Sequence, residues 1–196
     1  MLTEQEIMAE FKAAEAILRG HFILTSGLHS DTYMQCARVL MNPARAEKLC
    51  AVLAEKTRMA LKGTTIDMVV APAMGGVIVG YEMGRQLGVE TIFCERENGI
   101  FTLRRGFAIK PGAKILLVED VVTTGKSSME TVDCIKERGG NVVAEAALVD
   151  RTGGQYDLPF TLVSLLKIKV ATYTEDNVPA ELASIPVTKP GSRGLK

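Results

Sequence analysis

The sequence predicts an α/β fold in which a central parallel sheet is flanked by helices. Between residues 43 and 149, short apolar runs alternate with segments of helical period, and such alternation is typical of a parallel sheet. The consecutive aliphatic residues 115–118 predict a strand that is buried on both faces. With 196 residues, the chain fits one domain, which we expect to span residues 1–196.

The N-terminal part predicts a helix followed by short strands. Thr3 and Glu6 resemble a capping box, and the apolar residues after them predict an amphipathic helix. These apolar residues are Ile7, Phe11, Ala14 and Leu18. The glycines and short apolar stretches of residues 20–40 predict a loop and a pair of short strands before the main fold.

The main fold begins with a helix at Asn42 and Pro43, because proline favours the first helical position. We expect this helix to reach about Leu61, with Gly63 beyond its end. The pattern that follows predicts strands over residues 66–71, 91–94, 114–119 and 142–149, and helices over residues 76–87 and 127–138.

Residues 96–111 interrupt this alternation. They hold two glycines and three arginines and have no helical period. Because a long irregular loop in a compact domain is usually functional or disordered, we favour a mobile flap. The alternative is a surface hairpin with a solvated charged face.

The composition is that of a soluble globular protein. The chain is 47% hydrophobic and 23% charged, and its 23 basic and 23 acidic residues give a net charge of zero. A general nucleic-acid binder usually has a basic excess, so we expect no nucleic-acid partner. The four cysteines are widely spaced without a CxxC pair, which favours buried, reduced thiols.

Membrane and secretory locations are also disfavoured. No apolar run approaches the ~20 residues that a membrane span needs. Residues 1–10 are too acidic for a secretory signal. We therefore expect a cytoplasmic protein without a membrane partner.

Two acids and a hydroxyl-rich turn follow the buried strand. Glu119 and Asp120 stand at its carboxyl end, where open α/β sheets bind ligands. The turn of residues 123–128 suits a phosphate, because Gly125 permits a close backbone approach and the next helix presents free N–H groups. The hydroxyls of Thr123, Thr124, Ser127 and Ser128 add donors.

The acids would repel phosphate, so they must serve another part of the ligand. A carboxylate accepts two hydrogen bonds, which matches the adjacent hydroxyls of a ribose, and the composite ligand is then a ribose 5-phosphate. A P-loop is excluded because its first glycine would fall at Asp120. The alternative is an ordinary strand and helix, with Ser127 and Glu130 as a capping box.

This block resembles the phosphoribosyl pyrophosphate (PRPP) signature of the type I phosphoribosyltransferases, in which aliphatic residues precede two acids, two aliphatic residues and a threonine-containing turn. Other segments are similar to the orotate phosphoribosyltransferase family, in its shorter bacterial branch, and occur in the family's order. They are residues 20–33, 71–76, 95–106 and 150–151 and the tail at 189–191.

The resemblance implies a type I phosphoribosyltransferase fold with a small base-binding hood, built from residues 1–40 and the C-terminal segment, and a mobile flap loop. It implies Mg²⁺-dependent transfer of a ribose 5-phosphate from PRPP to orotate, in pyrimidine biosynthesis. No metal ligand in the protein is implied, since PRPP carries the Mg²⁺. A homodimer with shared active sites is also implied.

The resemblance further implies residue roles. Asp120, Arg96 and Arg105 match catalytic positions. The PRPP-binding positions are Glu119, Asp120, Val121, Val122, Thr123, Thr124, Gly125, Lys126 and Ser127, and the orotate-binding positions are Thr123, Arg151, Ser26 and Gly27.

Some positions differ from the better-known branch of the family. That branch has lysines and a histidine in the flap and a lysine at the position of Gly75, and the lysine common in the base-side loop is Thr25 here. For Arg151, a salt bridge to Asp150 or to a helix acid is the alternative role. A purine phosphoribosyltransferase and a non-catalytic PRPP-sensing regulator are the alternative functions.

Overall fold

The computed structural model describes residues 1–24, 26–154 and 159–190 of the chain. In chain order its helices and strands are α1 (Glu4–Ala13), β1 (Ile17–Ile23), β2 (His29–Met34), α2 (Cys36–Leu40), α3 (Pro43–Leu61), β3 (Met68–Pro72), α4 (Gly76–Leu87), β4 (Glu90–Glu97), β5 (Ile100–Leu103), β6 (Lys114–Val122), α5 (Lys126–Glu137), β7 (Asn141–Asp150), β8 (Thr161–Lys167), β9 (Thr172–Tyr173), α6 (Ala180–Ala183) and β10 (Val187–Thr188).

The predicted central parallel sheet is confirmed. Six strands lie in the order β5-β4-β3-β6-β7-β8, and only the edge strand β5 is antiparallel to its neighbour. Residues 115–118 of β6 are fully buried, as expected for a strand covered on both faces. Val69 packs in one apolar cluster with α1 to α4, whereas Val70 packs in a second cluster with α5.

Helix α3 agrees with its sequence signals at both ends. The Asn42 side chain accepts a hydrogen bond from the Arg45 N–H, and Pro43 occupies the first turn. The capping box of Thr3 and Glu6 is also confirmed.

The predicted extension of the first helix to Leu18 is wrong. Helix α1 ends at Ala13, and the chain turns at Glu15, where φ is +50°. Leu18 instead lies in β1 and pairs with Tyr33 of β2. The apolar residues keep a helical spacing as far as Leu18, but the pairing of β1 with β2 determines the structure there.

Strand β8 was not among the predicted elements.

The segment predicted as an irregular loop is a hairpin in its first half. Strands β4 and β5 pair in antiparallel register, and Asn98 and Gly99 form the turn with positive φ. Phe101 and Leu103 are buried in the cluster under α5. The surface hairpin was therefore the better of the two interpretations for residues 96–103, although one face of it is packed rather than solvated.

A second, smaller sheet joins the two ends of the chain. Its order is β10-β1-β2-β9, with β10 parallel to β1. The His21 ring contacts the Ile185 carbonyl oxygen through Nδ1 at 3.1 Å and His29 Nδ1 through Nε2 at 2.6 Å. These contacts hold residues 185–188 against the N-terminal strands. Over the described ranges, no helix combines the length and apolarity needed to cross a membrane.

Candidate active site

A cavity of about 810 Å³ lies between the small sheet and the carboxyl edge of the large one. The large sheet contributes the end of β6, the turn after it, the loop after β3 and Arg151 after β7. The small sheet contributes Tyr33 of β2, Ser26 of the β1–β2 loop, and Lys189 just beyond β10. The cavity thus occupies the place where ligands bind in open α/β sheets.

The acid pair lies inside strand β6, which runs to Val122 rather than ending at Glu119 as predicted. Glu119 is buried, and Asp120 is half-buried at the cavity wall. Burial raises the pKa of Asp120, although a hydrogen bond from the Val121 N–H to Oδ1 at 2.9 Å opposes this. A carboxylate in this position gains from a ligand that brings hydroxyl donors or positive charge.

Gly75 allows the loop after β3 to approach Asp120 closely. A Cβ atom built on Gly75 would lie 2.7 Å from Asp120 Oδ1. Any side chain at this position would have to displace the carboxylate.

The turn after β6 has the geometry of an anion site. Gly125 adopts a left-handed conformation with φ of +68° and caps α5 without a side-chain hydrogen bond. The proposed capping box of Ser127 and Glu130 is therefore wrong. Residues 126–128 form the first turn of α5, where backbone N–H groups have no acceptor within the helix. Thr123 and Thr124 are exposed beside them.

Ser128 departs from its predicted role as a hydroxyl donor to phosphate. It is 2% exposed, and its Oγ donates to Oε1 of Glu145 on β7 at 2.7 Å. The hydroxyl points into the core, so Ser128 can offer an anion its backbone N–H but not its side chain.

Arg151 supplies positive charge to the cavity. Its backbone N–H donates to the Val122 carbonyl oxygen at 2.8 Å, which joins the ends of β6 and β7. Its Nε is buried and has no hydrogen-bond partner among the described residues. Burial lowers the pKa of its guanidinium.

The alternative salt bridge of Arg151 to Asp150 does not form. Asp150 Oδ1 instead accepts from the backbone N–H of Thr152 at 2.8 Å and from its hydroxyl at 2.7 Å. Within the described ranges Arg151 makes no ion pair with any other acid either. Arg151 is half-buried in the cavity wall, and an arginine so placed without an ion pair among the described residues is suited to a planar anion such as a carboxylate.

The remaining predicted residues divide between the cavity and its surroundings. Lys126 and Ser127 line it, as does Ser26, whereas Gly27 forms the adjoining turn with φ of +85° and is not part of the wall. Thr25, where the family often has lysine, lies outside the described residues.

The predicted catalytic arginines lie outside the wall of this cavity. Arg96 pairs with Glu130 of α5, and its guanidinium lies 4.0 Å from the ring centroid of Phe101. Arg105 donates to Glu95 at 3.1 Å. Both arginines belong to the β4–β5 hairpin and the residues after it, and their catalytic role stays a prediction.

Phe101 and Lys189 are among the lining residues that had been assigned no site role. Phe101 reaches the cavity from β5, and Lys189 reaches it from the tail. Phe101 could have been found, because Asn98-Gly99 followed by alternating residues is a strong hairpin signal. Lys189 lies in the tail that resembles the family, but its place in the cavity depends on the pairing of β10 with β1, which the local pattern does not show.

Comparison with known proteins identifies the family to which the chain belongs. A sequence model described as the phosphoribosyl transferase domain matches residues 38–184. The orotate phosphoribosyltransferase of Erythrobacter litoralis is 56% identical over 192 residues, which are 98% of this chain and 99% of the relative. The chain belongs to the orotate phosphoribosyltransferase family. The family member from Sphingopyxis alaskensis is also 56% identical, over 99% of both chains.

Solved structures support the fold. The crystal structure of orotate phosphoribosyltransferase from Aeropyrum pernix has a TM-score of 0.67 at 24% identity, covering 83% of this chain and 93% of that one. The adenine phosphoribosyltransferase of Saccharomyces cerevisiae also has a TM-score of 0.67, at 17% identity, covering 83% of this chain and 99% of that one. The fold therefore does not separate orotate from adenine, and assignment to the orotate family depends on the sequence relatives.

Proposed function

We propose that this chain transfers a ribose 5-phosphate from PRPP to N1 of orotate, giving orotidine 5′-monophosphate and pyrophosphate in pyrimidine biosynthesis. The observation that carries the proposal is the meeting of three features in one cavity. They are the acid pair of β6, the amide-lined turn before α5 and the half-buried Arg151.

The sugar end of PRPP fits the first two features. Glu119 and Asp120 would accept hydrogen bonds from the 2′ and 3′ hydroxyls, and residues 123–127 would bind the 5′-phosphate through N–H groups at the start of α5. Cleavage at C1′ develops positive charge on the ribose ring. The carboxylate of Asp120 is placed to stabilise that charge, and we assign it the central catalytic role.

The departing pyrophosphate needs positive charge and shelter from water. Arg96 and Arg105 are our candidates, as the resemblance implies. Both are paired with acids in the protomer, so pyrophosphate would have to take the place of Glu130 and Glu95 as their partner. A homodimer in which this hairpin serves the neighbouring site is part of the proposal.

The donor set of the cavity suits Mg²⁺ that arrives with PRPP. Over the described residues, no group of three or more histidine, cysteine, aspartate or glutamate side chains is arranged to hold a metal. Mg²⁺ commonly keeps several waters and is held largely by substrate phosphates, so PRPP itself would hold the ion while Glu119 and Asp120 accept hydrogen bonds from the ribose hydroxyls. When bound, the ion neutralises charge on the leaving pyrophosphate.

The base site favours orotate over a purine. Orotate carries a carboxylate, which matches the positive charge of Arg151 in the cavity wall, whereas a purine base is neutral and would leave this charge without a counter-ion. Thr123, Ser26 and Gly27 are assigned to the same subsite. A cytoplasmic location and the absence of nucleic-acid and membrane partners complete the proposal.

The test is a spectrophotometric assay of orotate consumption with PRPP and Mg²⁺, with hypoxanthine and adenine assayed alongside. We expect turnover with orotate and none with hypoxanthine or adenine. Turnover with a purine base would favour the alternative enzyme, and PRPP binding without turnover of any base would favour a PRPP-sensing regulator.

A further inference from the structure

A second carboxyl group, Glu145, lies in the core behind the phosphate-binding turn. It stands on β7, opposite Leu117 of β6 and Leu162 of β8, and it is fully buried. Oε1 accepts the hydrogen bond from Ser128, and Oε2 has no partner among the described residues. Nothing in the proposed reaction uses this group.

The surroundings give Glu145 little electrostatic support. Within the described ranges it makes no ion pair, and the charge that acts on it most is another acid, Asp150. The neighbouring strand residues are alanines, leucine and valine, so an apolar side chain would fit the same environment at lower cost. The carboxyl is therefore better explained by its contact with Ser128 than by a contribution to core stability.

Ser128 connects this contact to the anion site. It is the third residue of α5, and its backbone N–H belongs to the first turn that faces the cavity. The sheet-facing side of α5 also carries the fully buried apolar residues Val132 and Ile135. Thr131 on the same side is fully buried too, and its Oγ1 makes a long contact of 3.7 Å with Cys94 Sγ of β4. Apolar contacts tolerate sliding of a helix along a sheet, whereas a hydrogen bond is directional and fixes the register.

We propose that Glu145 is a positioning residue: through Ser128 it holds the first turn of α5 at the distance from the acid pair that ribose 5-phosphate requires. The proposal rests on the proposed function, because it assumes that the turn binds the phosphate of PRPP. It predicts an effect on PRPP affinity rather than on the chemical step, since neither side chain touches the reacting atoms.

A double-mutant cycle tests whether the Ser128–Glu145 hydrogen bond affects PRPP binding. Ser128→Ala and Glu145→Val each remove the hydrogen bond, and we expect each to raise the KM for PRPP roughly 3- to 10-fold, as for one lost hydrogen bond. The KM for orotate and kcat at saturating PRPP should stay within about 2-fold. The double variant should resemble the single variants, because the two changes remove the same contact. Glu145→Gln retains an acceptor and should restore the KM to within about 2-fold of the original.

Thr57→Val serves as the matched control. Thr57 is also a buried helical hydroxyl, and its Oγ1 donates to the Leu53 carbonyl oxygen at 2.8 Å, away from the cavity. We expect it to lower Tm without changing the KM for PRPP. If the Ser128 and Glu145 variants behave like this control, with lower Tm and unchanged KM, the positioning role is wrong.

Ribose 5-phosphate binding by calorimetry separates this proposal from the function itself. The positioning role is supported if Ser128→Ala loses affinity for ribose 5-phosphate and Glu145→Gln does not. This holds even if the unmodified protein turns over no orotate. Equal affinity in all variants overturns it even if the enzyme is active. Ser128→Ala and Glu145→Gln are conservative enough to carry the test should Glu145→Val fail to fold.

Discussion

We propose that Arg151 determines the choice of base, because it lines the cavity and makes no ion pair with any described acid. We expect Arg151→Ala to raise the KM for orotate by about 10- to 100-fold, the range for a lost hydrogen bond to a charged group. PRPP affinity, measured by calorimetry, should be unchanged. Arg38→Ala, which removes a surface arginine paired with Glu15, is the control. An equal loss of both ligands would contradict the division of the cavity into two subsites.

We propose that Asp120 stabilises the charge that develops in the reaction step. We expect Asp120→Asn to lower kcat by at least about 100-fold, because it removes the negative charge beside the developing positive charge on the ribose. The Tm should not fall, since burial already disfavours the charged form of this side chain. Unchanged steady-state kinetics would remove Asp120 from the site.

Glu145 predicts a pH dependence of stability. Burial, together with the charge of Asp150, raises the pKa of Glu145 from 4.5 to about 7, although the Ser128 hydrogen bond opposes the shift. Between these values the folded state binds more protons than the unfolded state, so stability falls as pH rises. Glu145→Gln cannot ionise at this position. Between pH 4.5 and pH 7 its free energy of unfolding should therefore rise by roughly 3 kcal/mol relative to that of the original chain.

Urea unfolding of both proteins across this pH window measures the difference. Other titrating groups are common to the two proteins and cancel in the comparison. If the difference between the free energies of unfolding of the two proteins stays constant from pH 4.5 to pH 7, Glu145 ionises normally in the folded state.

At the scale of elements, helix α3 shows what the sequence determines well. Its cap at Asn42, the proline at Pro43 and its apolar period act locally and agree with each other, so both ends were predicted correctly. Strand β6 and the turn before α5 were predictable for the same reason. The acid pair, the glycine and the helix start all lie within about ten residues of sequence.

Elements that depend on distant partners were predicted less well. Leu18 was assigned to a helix because its strand pairing with Tyr33 is not visible in the local pattern. Phe101 and Lys189 enter the cavity only through the pairing of β5 with β4 and of β10 with β1. The inward orientation of Ser128 could not be predicted either, because Glu145 lies 17 residues further along the chain.

The β4–β5 hairpin and helix α5 are linked through Arg96 and Glu130, which gives a prediction for this pair of elements. If Arg96 binds pyrophosphate, Glu130 competes with the substrate for the guanidinium. We therefore expect Glu130→Gln to lower the KM for PRPP by about 2- to 5-fold, in keeping with the modest strength of partly exposed ion pairs. A raised KM would mean that Glu130 orients Arg96 and does not compete for it.

For the whole molecule, the proposed dimer with shared sites makes a quantitative prediction. The double variant Arg96→Ala, Arg105→Ala should be inactive because its hairpin is defective, although its cavity is intact. Asp120→Asn should be inactive because its cavity is defective, although its hairpin is intact. Random mixing makes half of the dimers mixed, and each mixed dimer has one intact site. Roughly one quarter of the original activity should return after the subunits exchange. If no activity returns although mixed dimers form, each protomer uses its own hairpin.

We propose that one cavity binds both ends of a ribose 5-phosphate, with the acid pair on the hydroxyls and the first turn of α5 on the phosphate. A crystal structure of the protein with bound PRPP would test this directly. We expect the 5′-phosphate within hydrogen-bonding distance of the backbone N–H groups of residues 124–127, and the 2′ and 3′ hydroxyls at Glu119 and Asp120. A 5′-phosphate bound elsewhere, at Arg151 or on the hairpin arginines, would contradict it.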